Sequence, residues 1–147
     1  MAQEVSEKNL WEKNLQEKSL RRTPDGPAPQ RVLVVDDDEH FRALARSILE
    51  PAGFEVLESE DLEQCLTQLQ RYAVDAVVLD MVMPGRDGIE AVGELKKLFP
   101  KIGIVAVSGA EQSDLYLSVS AHLGADASLE KSRLSALCPL LQVILDR

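Results

Sequence analysis

The sequence predicts an α/β domain with a five-stranded, doubly wound parallel sheet and helices on both faces. The main observation is an alternation along the chain. Short apolar runs, which suit strands buried on both faces, alternate with stretches whose apolar residues have helical spacing. Strands joined through helices run parallel with right-handed crossovers, so their carboxyl ends share one edge of the sheet. The length of 147 residues fits one domain with a sizeable core and is short for two.

Five segments have the pattern of strands. The first, third and fourth are apolar runs, the second alternates as an outer strand would, and the fifth is short. The predicted strands cover residues 32–35, 54–57, 76–79, 102–107 and 127–129.

The helical stretches follow the strands in turn. Their apolar positions fall within residues 41–49, 62–69, 89–99, 115–123 and 134–145. We expect Asp38 to cap the first helix, Pro100 to end the third, and Gly124 to cap the carboxyl end of the fourth. The motif Met83-Pro84-Gly85 predicts a turn after the third strand.

Residues 1–30 differ from the predicted domain at 31–147. Leu10, Leu15 and Leu20 recur in an imperfect repeat of five residues, a period that does not keep one face of a helix. Residues 23–29 form a linker rich in proline and glycine. We predict a charged, flexible arm; the alternative is a helix that docks on a partner.

Composition and charge exclude several classes of function. The chain is 45% hydrophobic and 28% charged, as is usual for soluble globular proteins. Acids and bases balance in residues 1–30, so the net charge of −9 lies in the domain. An acidic domain is poorly suited to nucleic acid and better suited to a hard cation. With a polar amino terminus and no run near the ~20 apolar residues of a membrane span, we expect a cytoplasmic protein without a membrane partner.

The cysteines and histidines are interpreted as structural. Cys65 and Cys138 fall in helical patterns without the spacing of a redox or metal motif. His40 and His122 are isolated in helical patterns and have no partner base nearby in sequence.

Polar residues collect where the predicted strands end. Asp36 and Asp37 follow the first strand, Asp80 follows the third, Ser108 the fourth and Lys131 the fifth. Each could be a turn, capping or surface residue taken singly, but the shared edge of a parallel sheet brings them together. Packed carboxylates repel one another unless a cation intervenes, and Mg²⁺ suits a few carboxylate oxygens and a phosphate.

This set of groups predicts phosphoryl transfer. An aspartate beside Mg²⁺ can attack a phosphoryl group and form an acyl phosphate, a role that we assign to Asp80. The transferring group needs its oxygens neutralised, for which Lys131, Ser108 and Mg²⁺ are available.

Four motifs then resemble the receiver domains of two-component response regulators. They occur in order over about residues 31–147, each at a strand end, and they are R-V-L-V-V-D-D-D, V-V-L-D-M-V-M-P-G-R-D-G, V-A-V-S-G-A and L-G-A-D-A-S-L-E-K. The resemblance implies the flavodoxin-like receiver fold and a protein that catalyses its own phosphorylation and dephosphorylation without being a conventional enzyme. It also implies a phosphohistidine donor on a sensor histidine kinase or phosphotransfer protein.

The resemblance further implies a role for each site residue. Asp80 would be the phosphorylated nucleophile, with Ser108 and Lys131 binding the phosphoryl group. Asp36 and Asp37 would hold Mg²⁺, together with Asp80 and the backbone carbonyl of Met81. The charge change would bias the face of the fourth helix, through which a downstream protein target would be contacted.

The sequence departs from the family pattern at four positions. Ser132 replaces the usual proline after the lysine, so we expect a trans peptide bond there. Ser128 replaces the usual aromatic switch residue, and Tyr116 is a candidate to report activation instead. Val82 and Ala110 cannot orient an attacking water by hydrogen bonding, which predicts slow self-dephosphorylation.

Three other functions compete with this one. The first is a receiver fold that is insensitive to phosphorylation and acts as an interaction module. A phosphohydrolase with an aspartyl nucleophile would usually need a second aspartate where Val82 stands. A nucleotide-binding fold is disfavoured because no glycine-rich phosphate loop follows the first strand.

Overall fold

The computed structural model describes residues 7–24, 26–83, 86–109, 118 and 121–146. The elements that build the domain are helix α1 (Glu7–Leu20), strand β1 (Arg31–Val35), helix α2 (Glu39–Leu49), strand β2 (Glu55–Ser59), helix α3 (Leu62–Arg71), strand β3 (Ala76–Asp80), helix α4 (Gly88–Leu98), strand β4 (Gly103–Ser108), strand β5 (Ala127–Glu130), a 3-10 helix (Lys131–Ala136) and helix α5 (Leu137–Leu145).

The five strands form one parallel sheet in the order β2-β1-β3-β4-β5. The predicted fold class is therefore confirmed. In the register of β1 and β3, Val35 pairs with Leu79, so that Asp36 and Asp80, the next residue of each chain segment, lie side by side. Asp80 in turn pairs with Val107 of β4.

The sheet is covered on both faces because alternate residues of its buried strands point to opposite sides. Val32 and Val34 of β1 pack in a core with α2 and α5, whereas Leu33 and Val35 pack in a core with α3 and α4. All four of these strand residues are fully buried. The sheet is thus a rigid support, and the residues beyond its carboxyl edge are held by the strands beneath them.

The predicted helix ends can be compared with the structure. Asp38 caps α2, because its Oδ1 accepts a hydrogen bond of 2.9 Å from the His40 amide. Helix α4 ends at Leu98, just before Pro100. Gly124 has a φ of +111°, as expected of a glycine that ends a helix.

Two predictions fall largely outside the described residues. The predicted fourth helix, including Tyr116, lies mostly in the undescribed segment between 109 and 121. Pro84 and Gly85 are likewise not described, but the residues on either side, Val82–Met83 and Arg86–Asp87, pair as a short antiparallel ladder.

The amino-terminal arm contains helix α1, which packs on the domain. Leu10 is 8% exposed and belongs to the core on the α3 and α4 side. The Glu17 carboxylate accepts a hydrogen bond of 3.2 Å from the Ala73 amide, and Arg21 Nη1 donates one of 3.3 Å to the Ala73 carbonyl. Residues 7–20 of the arm are therefore helical and packed on the domain, and the predicted flexibility of the arm stays a prediction.

Candidate functional site

Three carboxylates meet at the carboxyl edge of the sheet. Asp36, Asp37 and Asp80, here called the acidic cluster, each offer one oxygen, and these oxygens lie within 4.8 Å of one another. Asp36 and Asp80 are 0% and 3% exposed, and Asp37 is exposed. The cluster therefore has two buried acids and one that solvent reaches.

Lys131 brings a positive charge into the acidic cluster from the end of β5. Its Nζ lies 2.7 Å from Asp36 Oδ2 and 3.3 Å from Asp80 Oδ2. Burial acts to lower the pKa of Lys131, but the contact with Asp36 and the charges of both aspartates outweigh it, so the pKa is raised. The ammonium stays charged at neutral pH and partly offsets the repulsion within the cluster.

Asp80 is held at the tip of β3 by backbone contacts. Its Oδ1 accepts a hydrogen bond of 3.0 Å from the Val82 amide, and the Met81 amide donates one of 2.8 Å to the Val107 carbonyl. Burial raises the pKa of Asp80 to about 6; the Asp36 charge adds to the rise, while the Val82 amide and Lys131 act against it. At pH 7 a carboxyl group with this pKa is mostly ionised.

Asp36 is fixed from two sides. Its Oδ1 accepts a hydrogen bond of 2.8 Å from the Asp38 amide. Its backbone carbonyl accepts one of 2.7 Å from Arg42 Nη1, a guanidinium that is also paired with Glu58 at 3.1 Å. Arg42 and Glu58 were missed at the sequence level, where the only signal was an arginine beside the apolar stripe of α2.

Ser108 and Met81 are less directly tied to the cluster. Ser108 is 0% exposed, and among the described residues its Oγ has one hydrogen bond, donated to the Gly109 carbonyl at 3.3 Å. The Met81 backbone is approached so closely by Gly88 that a Cβ there would lie 2.3 Å from the Met81 oxygen. The structure therefore brings Asp36, Asp37, Asp80 and Lys131 together, and it does not join Ser108 to them by a hydrogen bond.

The acidic cluster has the donor set of a metal site. Asp36 Oδ2 is buried and has the Lys131 ammonium beside it in an ion pair, but it accepts no hydrogen bond among the described residues. A carboxylate oxygen has two lone pairs, so Asp36 Oδ2 can take a metal ion as a second partner beside the ammonium. The cluster can hold a metal ion that prefers oxygen ligands.

The remaining sequence-level candidates stay structural. Both cysteines are free thiols, and burial raises the pKa of Cys65 to about 12, which leaves it unreactive at neutral pH. No helix in the described part of the chain is long and apolar enough to cross a membrane.

The chain matches known proteins over the whole of the sheet. A family model described as the response regulator receiver domain matches residues 32–141. The chemotaxis protein CheY of Halobacterium salinarum is 36% identical over 103 residues, which cover 69% of this chain and 84% of that protein. The transcriptional regulatory protein CpxR of Klebsiella pneumoniae is 35% identical over 101 residues, covering 69% of this chain and only 42% of that regulator.

Solved structures have the same fold. A response regulator receiver domain protein from Clostridium thermocellum matches with a TM-score of 0.74 at 25% identity, covering 80% of this chain and 95% of that one. A response regulator from Thermotoga maritima matches with a TM-score of 0.73 at 25% identity, covering 81% of this chain and 99% of that one.

Proposed function

The chain belongs to the response regulator receiver domain family of two-component systems, and from this membership we propose that Asp80 is its phosphoacceptor and that Mg²⁺ assists the transfer. The observation that carries the proposal is a buried carboxylate beside a fixed ammonium. Asp80 Oδ2 lies 3.3 Å from Lys131 Nζ, and one oxygen each of Asp36, Asp37 and Asp80 lies within 4.8 Å of the others, close enough to share a metal ion.

The proposed reaction is a direct phosphoryl transfer. An ionised oxygen of Asp80 forms a bond to phosphorus, and the bond from phosphorus to the donor's imidazole nitrogen breaks. The electron pair of the broken bond returns to the imidazole, and the product is an acyl phosphate on Asp80. The donor would be a phosphohistidine of a sensor histidine kinase or phosphotransfer protein.

The chain's own residues are proposed to neutralise most of the negative charge of the phosphoryl group. Lys131 can follow the new negative charge because its ammonium already contacts Asp80. Asp36 and Asp37, with Asp80 and the Met81 carbonyl, would hold Mg²⁺, and Ser108 would donate a hydrogen bond to a phosphoryl oxygen after a movement of its side chain. When bound, Mg²⁺ supplies positive charge that neutralises the phosphoryl oxygens.

The output is proposed to be a contact with a target protein through the fourth-helix face. Most of that face falls in the part of the chain that the structure does not describe, so its role stays a prediction. Ser128, at the place of the family's aromatic switch residue, is exposed. We also propose a cytoplasmic location, and we propose that the arm at residues 1–30 is a unit separate from the receiver domain.

Intact-mass spectrometry tests the proposed function. The protein is incubated with acetyl phosphate and Mg²⁺, and we expect the mass gain of one phosphoryl group, which EDTA prevents. Asp80→Asn should show no gain. Asp61→Asn is the matched control, because Asp61 is an exposed cap of α3, and Asn caps a helix as well as Asp does.

A wild-type protein that gains no mass with Mg²⁺ present would reject the phosphoacceptor role. That result would favour the alternative, a receiver fold that acts as an interaction module insensitive to phosphorylation. A gain retained by Asp80→Asn would place the phosphoryl group on another residue.

The phosphorylated form is proposed to be long-lived. Val82 follows Asp80 by two positions and is 44% exposed, and its apolar side chain cannot orient an attacking water by hydrogen bonding. We expect Val82→Gln to shorten the lifetime of the phosphorylated protein, because an amide can hydrogen-bond that water. Loss of the phosphoryl group from the wild type within seconds, in the absence of a phosphatase, would contradict this.

A further inference from the structure

The ring of Phe41 lies against the ammonium of Lys131. The distance from Lys131 Nζ to the ring centroid is 4.7 Å, and Phe41 is 6% exposed. We propose that Phe41 is a positioning residue for phosphoryl transfer, which holds the Lys131 ammonium over Asp80. The inference rests on the proposed function of Asp80.

The contact has the geometry of a cation–π interaction. A lysine ammonium within about 6 Å of an aromatic centroid is attracted to the negative face of the ring, and the attraction strengthens when the pair is desolvated. The Lys131 side chain is 27% exposed, so its ammonium is partly withdrawn from water. Phe41 is thus a third partner of the ammonium, beside Asp36 and Asp80.

Phe41 is well placed to serve this role because α2 fixes it. Asp38 caps the helix, and Phe41 lies in the first turn with its ring in the core shared by α2 and α5. The same short segment that supplies Asp36 to the acidic cluster therefore also supplies the ring. The approach of Lys131 to the cluster is limited from the α2 side by a rigid apolar group.

The described residues of β5 and the 3-10 helix that flank Lys131 make few recorded contacts with its ammonium. Ser128 and Ser132 are both exposed, and Ser132 Oγ donates to Glu130 Oε2 at 3.4 Å rather than contacting the lysine. A lysine side chain has four flexible methylenes, and its position costs rotamer freedom unless neighbours restrict it. Among the described residues, the contacts that restrict the ammonium come from Phe41 and the two buried aspartates.

The ring also suits the change that phosphorylation requires. In the structure the ammonium is closer to Asp36 Oδ2, at 2.7 Å, than to Asp80 Oδ2, at 3.3 Å. To pair with a phosphoryl group on Asp80, the ammonium must shift away from Asp36. A ring face gives attraction over a broad area, so Phe41 can keep its contact with Nζ during that shift.

A double-mutant cycle tests the inference. The rate of phosphorylation by acetyl phosphate with Mg²⁺ is measured for the wild type, Phe41→Leu, Lys131→Met and the double variant. We expect Phe41→Leu to be about 3- to 10-fold slower, because the ammonium loses the ring while the core keeps an apolar side chain. In the Lys131→Met background the same substitution should have no further effect.

Matched variants separate positioning from packing. Leu49→Val removes volume from a fully buried position of α2 in the same core, and it should phosphorylate at the wild-type rate. Phe41→Tyr keeps the ring and should stay within about 2-fold of the wild type. If Phe41→Leu does not fold, Phe41→Met replaces it. The ring should also shift the Lys131 Hε resonances upfield in NMR spectra, and this shift should disappear in Phe41→Leu.

The outcomes are distinct. A Phe41→Leu rate equal to that of the wild type, or an undiminished loss in the Lys131→Met background, would overturn the inference and leave the phosphoacceptor role of Asp80 intact. A wild type that is not phosphorylated would overturn the proposed function and this inference with it.

Discussion

Replacing Asp80 by asparagine should stabilise the metal-free protein at neutral pH. Burial is the main reason that the pKa of Asp80 rises from 3.8 to about 6 in the folded chain. A carboxylate whose pKa is raised by folding binds its proton more tightly in the folded state. The free energy of unfolding therefore falls as the pH rises from about 4 to about 6. Above about pH 6 the folded state bears the full loss of stability caused by the ionised Asp80.

The magnitude follows from the difference between the two pKa values. At about 1.36 kcal/mol for each pKa step, ionised Asp80 costs the folded state up to about 3 kcal/mol. Asparagine resembles the protonated carboxyl in shape and carries no charge. We therefore expect Asp80→Asn to raise the free energy of unfolding by about 1–3 kcal/mol at pH 7, and by progressively less as the pH approaches 4.

Urea unfolding followed by circular dichroism measures the effect. The wild type and Asp80→Asn are compared in EDTA between pH 4 and pH 8, with Asp61→Asn as the exposed control. Added Mg²⁺ should reduce the difference in free energy of unfolding between Asp80→Asn and the wild type, because a cation that binds the folded wild type stabilises it by mass action. The reasoning would be refuted if Asp80→Asn were less stable than the wild type at pH 7 in EDTA. It would also be refuted if the difference in free energy of unfolding between the two proteins did not change with pH.

Two further predictions concern a metal ligand and the arm. Gly88→Ala should weaken Mg²⁺ binding, measured by titration, because its Cβ would lie 2.3 Å from the Met81 oxygen. Gly93→Ala is the control, because a Cβ at Gly93 meets nothing within 4 Å, and its Mg²⁺ affinity should equal that of the wild type. Equal Mg²⁺ affinities of the two variants would contradict the prediction. Leu10→Ala should lower the free energy of unfolding by about 2 kcal/mol, because Leu10 is 8% exposed, and Leu20→Ala should have little effect, because Leu20 is 82% exposed. Equal stability of Leu10→Ala and Leu20→Ala in urea would show that the helix does not dock.

The sheet and the acidic cluster were predictable because one geometric rule connects them to the sequence. Parallel strands joined by helices end at one edge, and β1 and β3 are adjacent in the sheet, so the carboxylates that follow them are neighbours. The register confirms this for Asp36 and Asp80. Lys131 followed from the same rule, since β5 also ends at that edge.

Contacts that depend on how helices pack on the sheet were not predictable. Phe41 belongs to the apolar stripe of α2, and nothing in the stripe indicates that its ring meets Lys131, which is distant in sequence. Arg42 was missed for the same reason, because its partner is the backbone carbonyl of Asp36. Backbone partners leave no trace in the sequence pattern.

The prediction for the arm rested on the five-residue spacing of its leucines, and this spacing does not indicate how the helix packs. A five-residue repeat cannot give an apolar stripe, and the exposure of Leu10, Leu15 and Leu20 rises along α1 from 8% to 38% to 82%. Of these three leucines, only Leu10 is buried. Polar contacts from Glu17 and Arg21 to the chain near Ala73 hold the rest of the helix, and such contacts cannot be inferred from hydrophobic spacing.

The most direct test of the phosphoacceptor role is to locate the phosphoryl group on the chain. The protein is phosphorylated with acetyl phosphate and Mg²⁺ and treated with sodium borohydride, which reduces an acyl phosphate to an alcohol. The digested peptides are then sequenced by mass spectrometry. We predict homoserine in place of Asp80 and unmodified aspartate at Asp36 and Asp37. Homoserine in place of either of these two residues, with Asp80 unmodified, would contradict the assignment.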